Sequence, residues 1–272
     1  YEVSASLVGS EMCIRDSITG NALASPSTLG ISSAAGFGAA GAITAGFTIF
    51  GMLWLGTALA AFSMAIIVSA AIYWLGGRRG MSPSTVILAG IVMNFFFMAL
   101  QQFRQYHASP EIAQLISGWT FGNLERSTWT STAAAAGAVI AAAAYLIGRS
   151  WELTTLTIGE ERALSLGVPV RRLRVVAFGI SALLIACSVS FIGTVSFVGL
   201  VAPHLAKLTL GEDQRYLLPG SLLTGAMLML ASSVAAKLLS AGAVLPVGIV
   251  TSLVGVPFLL VLLLRSTHSR YA

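Results

Sequence analysis

From Ser17 to Gly77 the chain carries no charged residue. That run is too long for one membrane helix of about 20 residues, and it is too apolar to be a solvated segment. It therefore has to be two helices joined by a turn. The glycines place the division: Ile31–Phe50 reads as the first helix and Met52–Leu75 as the second, turning near Gly51. The first is rich in small residues at four-residue spacing, in the ladders Ser32, Gly36, Ala40 and Gly38, Ala42, Gly46. Such ladders let membrane helices approach closely. Plain helix packing and the lining of a substrate path are both open readings of them.

The rest of the chain has the same character. Of its 272 residues 56% are hydrophobic and 9% charged, with a mean hydropathy of +0.87, against roughly 25% charged in soluble domains. The fold class is all-α, a polytopic membrane helix bundle. The net charge of +5 sits in short basic clusters beside apolar runs, a membrane-protein pattern rather than a nucleic-acid one. Further spans are predicted at Ser84–Phe103, Thr130–Gly148, Val175–Ile192, Tyr216–Lys237 and Val247–Leu264. The Arg104–Thr128 stretch reads as an amphipathic connection, with Trp119 and Trp129 near the membrane interface. Asn94, Gln101 and Gln102 are amides within a span, suited to bonding neighbouring helices or to facing a lumen. Tyr1–Ser17 shows neither signal-peptide pattern nor helical periodicity; it resembles a read-through or junction segment and is left out of the fold. Residues 18–272 form a single transmembrane domain.

One segment cannot live in hydrocarbon. Arg149, Arg162, Arg171, Arg172 and Arg174 would each cost roughly 2.5–3.5 kcal/mol at mid-bilayer, so residues 149–174 lie outside it. Thr157 followed by Glu160 is a capping-box pattern, predicting a helix of about two turns that Gly167 and Pro169 stop. Pro169 then opens a second short helix leading into the next span. Gly193–Leu210, interrupted by Gly199 and Pro203, is ambiguous. If it crosses, the 149–174 loop, Arg78, Arg79, the Gly211–Arg215 turn and the Arg265/Arg270 tail share one side, as the positive-inside rule asks. The count becomes eight spans, with residues 149–174 and the carboxyl terminus cytoplasmic.

The chemistry is as much in what is missing. No phosphate-binding G-x-x-x-x-G-K-[ST] loop occurs, the three histidines are scattered, and no hydrolase-like constellation stands out. No cofactor, metal or catalytic role is expected. The acids Glu111, Glu125, Glu152, Glu160, Glu161, Glu212 and Asp213 all fall in predicted loops, whereas ion-coupled carriers usually place ionisable groups within the membrane. A carrier built this way draws its energy from another protein, or is a passive channel. The 149–174 segment, offering Ala163, Leu164 and Leu166 among charged residues, would suit docking to a soluble motor. An ordinary solvated loop is the alternative.

Four separated motifs add a resemblance. GEERALSLGVPVRRLR, Gly159 to Arg174, resembles the cytoplasmic coupling region of FecCD/BtuC-type permeases of ABC importers for iron–siderophores, haem and cobalamin. Asn21 to Ser33 resembles that family's N-P-L-A-x-P-x-x-L-G-x-S, with Ala22 in place of its proline. Gly193 to His204 resembles G-x-I-G-F-V-G-L-x-x-P-H, and Leu245 to Pro257 resembles L-P-x-G-x-x-T-x-x-x-G-x-P. The resemblance implies a subunit with ten helices, of which this chain begins after the first and most of the second. It implies a multi-pass protein of a prokaryotic inner membrane, working with a second permease subunit, two ABC ATPase subunits and an extracytoplasmic binding protein, most simply for ferric siderophores, with haem or cobalamin as alternatives. Gly159, Glu160, Glu161, Arg162, Ala163, Leu164, Leu166 and Gly167 would form the ATPase contact. Lys237, with Arg104 and Arg126 as weaker candidates, would meet the binding protein. Outside the family, an ion-coupled secondary carrier is the competing class.

Overall fold

In the computed structural model, residues 30–78, 83–124, 128–157, 159–211, 213–240 and 245–268 are described. Tyr1–Ser17, most of the Asn21–Ser33 motif, Arg79, Glu125, Arg126, Glu212 and Arg270 lie outside them. The helices are α1 (Ile31–Ala45), α2 (Leu53–Arg78), α3 (Pro83–Tyr106), α4 (Pro110–Thr120), α5 (Trp129–Gly148), α6 (Ser150–Thr157), α7 (Glu160–Ser165), α8 (Val170–Ile192), α9 (Val198–Leu210), α10 (Gln214–Leu239) and α11 (Val247–His268). Five of them, α2, α3, α5, α8 and α10, are long and apolar enough to cross a membrane, and α1, α9 and α11 are shorter apolar helices. These eight correspond one to one with the eight predicted spans, and the fold is an all-α bundle.

Several boundaries move for local reasons. The first turn begins earlier than Gly51, because Gly46 (φ 61°) already ends α1 in the left-handed region, which glycine enters without steric cost. The polar connection after α3 holds a helix of its own, α4. Its Ser109-Pro110-Glu111 start supplies an N-cap hydroxyl that accepts from the Ile112 amide at 3.4 Å, a proline at the first position and an acid in the first turn. Trp119 on α4 is buried, so it is a core residue rather than an interface anchor; Trp129 is exposed. No separate short helix follows Pro169: α8 runs without a break from Val170 to Ile192.

The two small-residue ladders of α1 are packing faces toward different neighbours. Gly36 abuts the Gln101 side chain of α3, and Gly38 abuts the Ala60 carbonyl and Met64 of α2. In-span amides do the same work. Ser33 Oγ donates to Asn94 Oδ1 of α3, and Gln101 Nε2 donates to Thr120 Oγ1 of α4 at 2.8 Å. Gln105 Nε2 reaches Ser117 Oγ at 2.7 Å. Gln102 is exposed and does not join this set.

Contacts fix which helix ends lie together. The start of α10 meets α6, where the Gln214 amide donates to Thr154 Oγ1 at 3.2 Å. At the other end of the bundle, the Asn123 amide donates to the Ile192 carbonyl at 2.8 Å and the Gly248 amide to the Phe121 carbonyl at 3.2 Å. The Gly193–Leu210 segment therefore runs from one end to the other. Only Val198–Leu210 of it is helical, about 20 Å at 1.5 Å per residue.

Candidate functional site

The polar segment folds as a hook on the α6 end of the bundle. α6 leaves α5 through Arg149, whose guanidinium bonds both Glu152 oxygens at 3.2 and 3.1 Å and lies over the Tyr145 ring at 5.7 Å. The inner side of the hook is apolar. Leu153, Leu156, Ala163 and Val168 join Leu173 and Leu218 in one buried cluster. Removing such surface from water, at roughly 25 cal/mol per Å², is what holds two short helices that could not stand alone.

The N-cap of α7 is not at Thr157, where the sequence places it. Thr157 is the last residue of α6, and Gly159 (φ 126°, ψ 147°) is the N-cap of α7 with no side-chain cap. That backbone region is essentially glycine-only, so glycine, rather than a hydroxyl, sets the entry to α7. Glu160 and Glu161 occupy its first turn, where negative charge complements the helix dipole.

The exit is a Schellman motif. The Val168 amide donates to the Ala163 carbonyl and the Gly167 amide to the Leu164 carbonyl, both at 3.0 Å, with Gly167 left-handed at φ 79°. The usual hydrophobic contact across such a cap is here Ala163 with Val168, both buried. Two more residues lead into α8.

The site residues read from sequence thus divide. Ala163 is 0% exposed, so it anchors the hook and is not available to a partner, which corrects the sequence reading. Glu160, Glu161, Arg162, Leu164 and Leu166 are exposed, as are Arg171 and Arg172 at the start of α8. Leu164 and Leu166, at 56% and 58% exposure, are apolar studs in a charged rim. Lys237 and Arg104 lie at the opposite end of the bundle on α10 and α3. Lys237 is exposed. Arg104 is tethered, its Nη1 3.4 Å from Thr44 Oγ1 and its guanidinium over Phe37 at 5.7 Å.

Sequence reasoning overlooked the glycines where α8 ends. A β-carbon on Gly193 would collide with the Trp119 carbonyl oxygen, and one on Gly248 with the Phe121 carbonyl oxygen. Their signal was present as isolated glycines at helix boundaries within two of the motifs.

Comparison with known proteins agrees with this fold. The FecCD transport family matches residues 7–265. The cobalamin import system permease protein BtuC of Halobacterium salinarum is 35% identical over 244 residues, 89% of this chain and 64% of that protein. The iron(3+)-hydroxamate import system permease protein FhuB of Bacillus subtilis is 33% identical over 264 residues, 94% of this chain and 67% of that protein. The chain thus spans about two thirds of the length of these relatives. A solved metal-chelate type ABC transporter in an inward-facing conformation superposes with a TM-score of 0.82 at 30% identity, covering 96% of this chain and 85% of that one.

Proposed function

The chain belongs to the FecCD transport family, and we propose that it is the membrane-spanning permease subunit of an ATP-driven, binding-protein-dependent importer. The observation that carries the proposal is the α7 hook. It is fixed to the bundle by Ala163 and Val168 and presents Glu160, Glu161, Arg162, Leu164 and Leu166 outward. Such a rigid, partly apolar projection fits a surface cleft on an ABC ATPase subunit. The hook side is then cytoplasmic, together with the carboxyl terminus. Lys237 and, more weakly, Arg104 face the binding protein at the other end, and a second permease subunit completes the pore.

A ferric siderophore is the proposed cargo, with haem and cobalamin as alternatives. The relatives for iron(3+)-hydroxamate and cobalamin stand at 33% and 35% identity, so similarity alone gives neither precedence. The test is uptake into vesicles holding the permease, its ATPase and its binding protein, with a ferric hydroxamate, haem and cobalamin offered in turn. ATP-dependent accumulation of one chelate is the expected result. Uptake that survives removal of the ATPase but collapses with an ionophore identifies an ion-coupled carrier instead. Flux needing neither identifies a channel.

A further inference from the structure

Among the described residues α8 contributes to all four buried apolar clusters. Val170 and Leu173 sit in the hook's cluster, Ile185 and Ala186 in the central one, Leu184 against α5, and Ile192 beside Leu124 and Val247. Its 23 residues span roughly 35 Å. A continuous helix wedged at crystal-like packing density does not absorb a displacement along its length. A push on α7, joined to Val170 by only four residues after Ser165, therefore arrives at Ile192.

What waits there is a clasp made almost wholly of backbone. The end of α8 meets the turn after α4 through the Asn123 amide and the Ile192 carbonyl, 2.8 Å. Thr194 Oγ1 donates to the Thr120 carbonyl. The Gly248 amide at the start of α11 donates to Phe121. Gly193, Gly248 and Gly122 leave no room for a β-carbon at these crossings without displacing a neighbouring carbonyl. Beyond the clasp, Phe197 is held left-handed at φ 67° and packs on Gly255, where a β-carbon would strike its own. Main-chain contacts have no rotamers to yield, so α4, the 193–197 turn and the start of α11 must move together. The clasp borders an open cleft of about 690 Å³ whose lining includes Thr120, Phe121, Thr194, Ser196, Leu253 and Val256.

We infer that α8 is the rod through which α7 drives this clasp, and that Gly193 and Gly248 are positioning residues that transmit ATPase motion to the cleft. The inference rests on the reading of α7 as the ATPase contact. The experiment uses the assembled importer in proteoliposomes with a ferric hydroxamate as probe, reading ATPase co-purification, ATP hydrolysis and uptake separately. Gly193→Ala and Gly248→Ala are expected to keep the ATPase bound and hydrolysing while uptake falls about tenfold, within the range for residues that carry coupling between sites. The ratio of ATP spent to chelate moved rises accordingly. Thr194→Val, a near-isosteric change that removes the hydroxyl donor, keeps the same signature with a loss of about two- to fivefold, and does so even if the alanine variants fail to fold. Uptake within error of the parent for Thr194→Val, or for either well-folded alanine variant, overturns the rod and clasp. So does loss of uptake in strict proportion to loss of bound ATPase. If Gly167→Val leaves the ATPase bound, the underlying reading of α7 fails instead, which separates the two outcomes.

Discussion

Glycines mark both ends of α8, and they are there for different reasons. Gly167, ahead of its start, is left-handed at φ 79° with open space around its α-carbon; Gly193, at its end, has a similar φ of 87° and no space at all. At the hook the requirement is conformational, so any residue that tolerates the left-handed region can serve. At the clasp the requirement is steric, and no side chain fits. One end is a surface turn with open space around it, and the other is an internal joint whose parts are already in contact. The hook can thus vary in side chain while keeping its backbone, whereas the clasp has little freedom in either.

The widest separation comes from larger side chains at the clasp. Gly193→Val and Gly248→Val force a branched residue against a carbonyl oxygen, and overpacking of this kind costs about 1–3 kcal/mol, with φ strain added at Gly193. Both variants should show a lower thermal midpoint and poor monodispersity in detergent. A midpoint unchanged at both positions removes the steric half of the comparison. Confined to the hook end is Leu153→Ala, which hollows the fully buried anchor of α6 at about 2–5 kcal/mol locally. Here the loss should appear as faster amide exchange of α6 and α7, and weaker ATPase binding, with the transmembrane helices unaffected. Smaller again is the pair at the hook's exit. Gly167→Val is strained by about 1–3 kcal/mol and should release the ATPase, while Gly167→Asn should retain it because asparagine enters the left-handed region readily. Equal behaviour of the two would mean that φ is not what glycine supplies there.

The helices were legible because charge and hydropathy alone divide the chain, and all eight apolar runs became helices. The hook was legible as a location, since five arginines cannot be placed in lipid, but not in its details. Thr157 followed by Glu160 mimics a cap, yet the helix before it consumes Thr157 and leaves Gly159 to begin α7. The sequence offers Ala163 alongside Leu164 and Leu166, but the Schellman turn folds Val168 back onto it. The clasp was illegible for a deeper reason. It depends on three segments far apart in sequence meeting through main-chain atoms, and a glycine's letter does not say what lies opposite it.

The smallest structural effect, and the sharpest functional one, belongs to Glu160→Lys combined with Glu161→Lys. Both carboxylates are exposed and lie in the first turn of α7, outside the apolar cluster that fixes the hook, so the thermal midpoint of the bundle should not move. Two positive side chains would then stand at the positive end of the helix dipole and beside Arg162, reversing the charge that a partner meets. ATPase association should fall about tenfold, the effect of losing roughly 1.4 kcal/mol of complementarity, and the loss should shrink as salt is raised because exposed charges are screened within a Debye length of about 8–10 Å. A matching charge reversal on the ATPase cleft should restore binding. An affinity loss that is indifferent to salt would instead locate the contact in Leu164 and Leu166, leaving the acids to serve only the helix they begin.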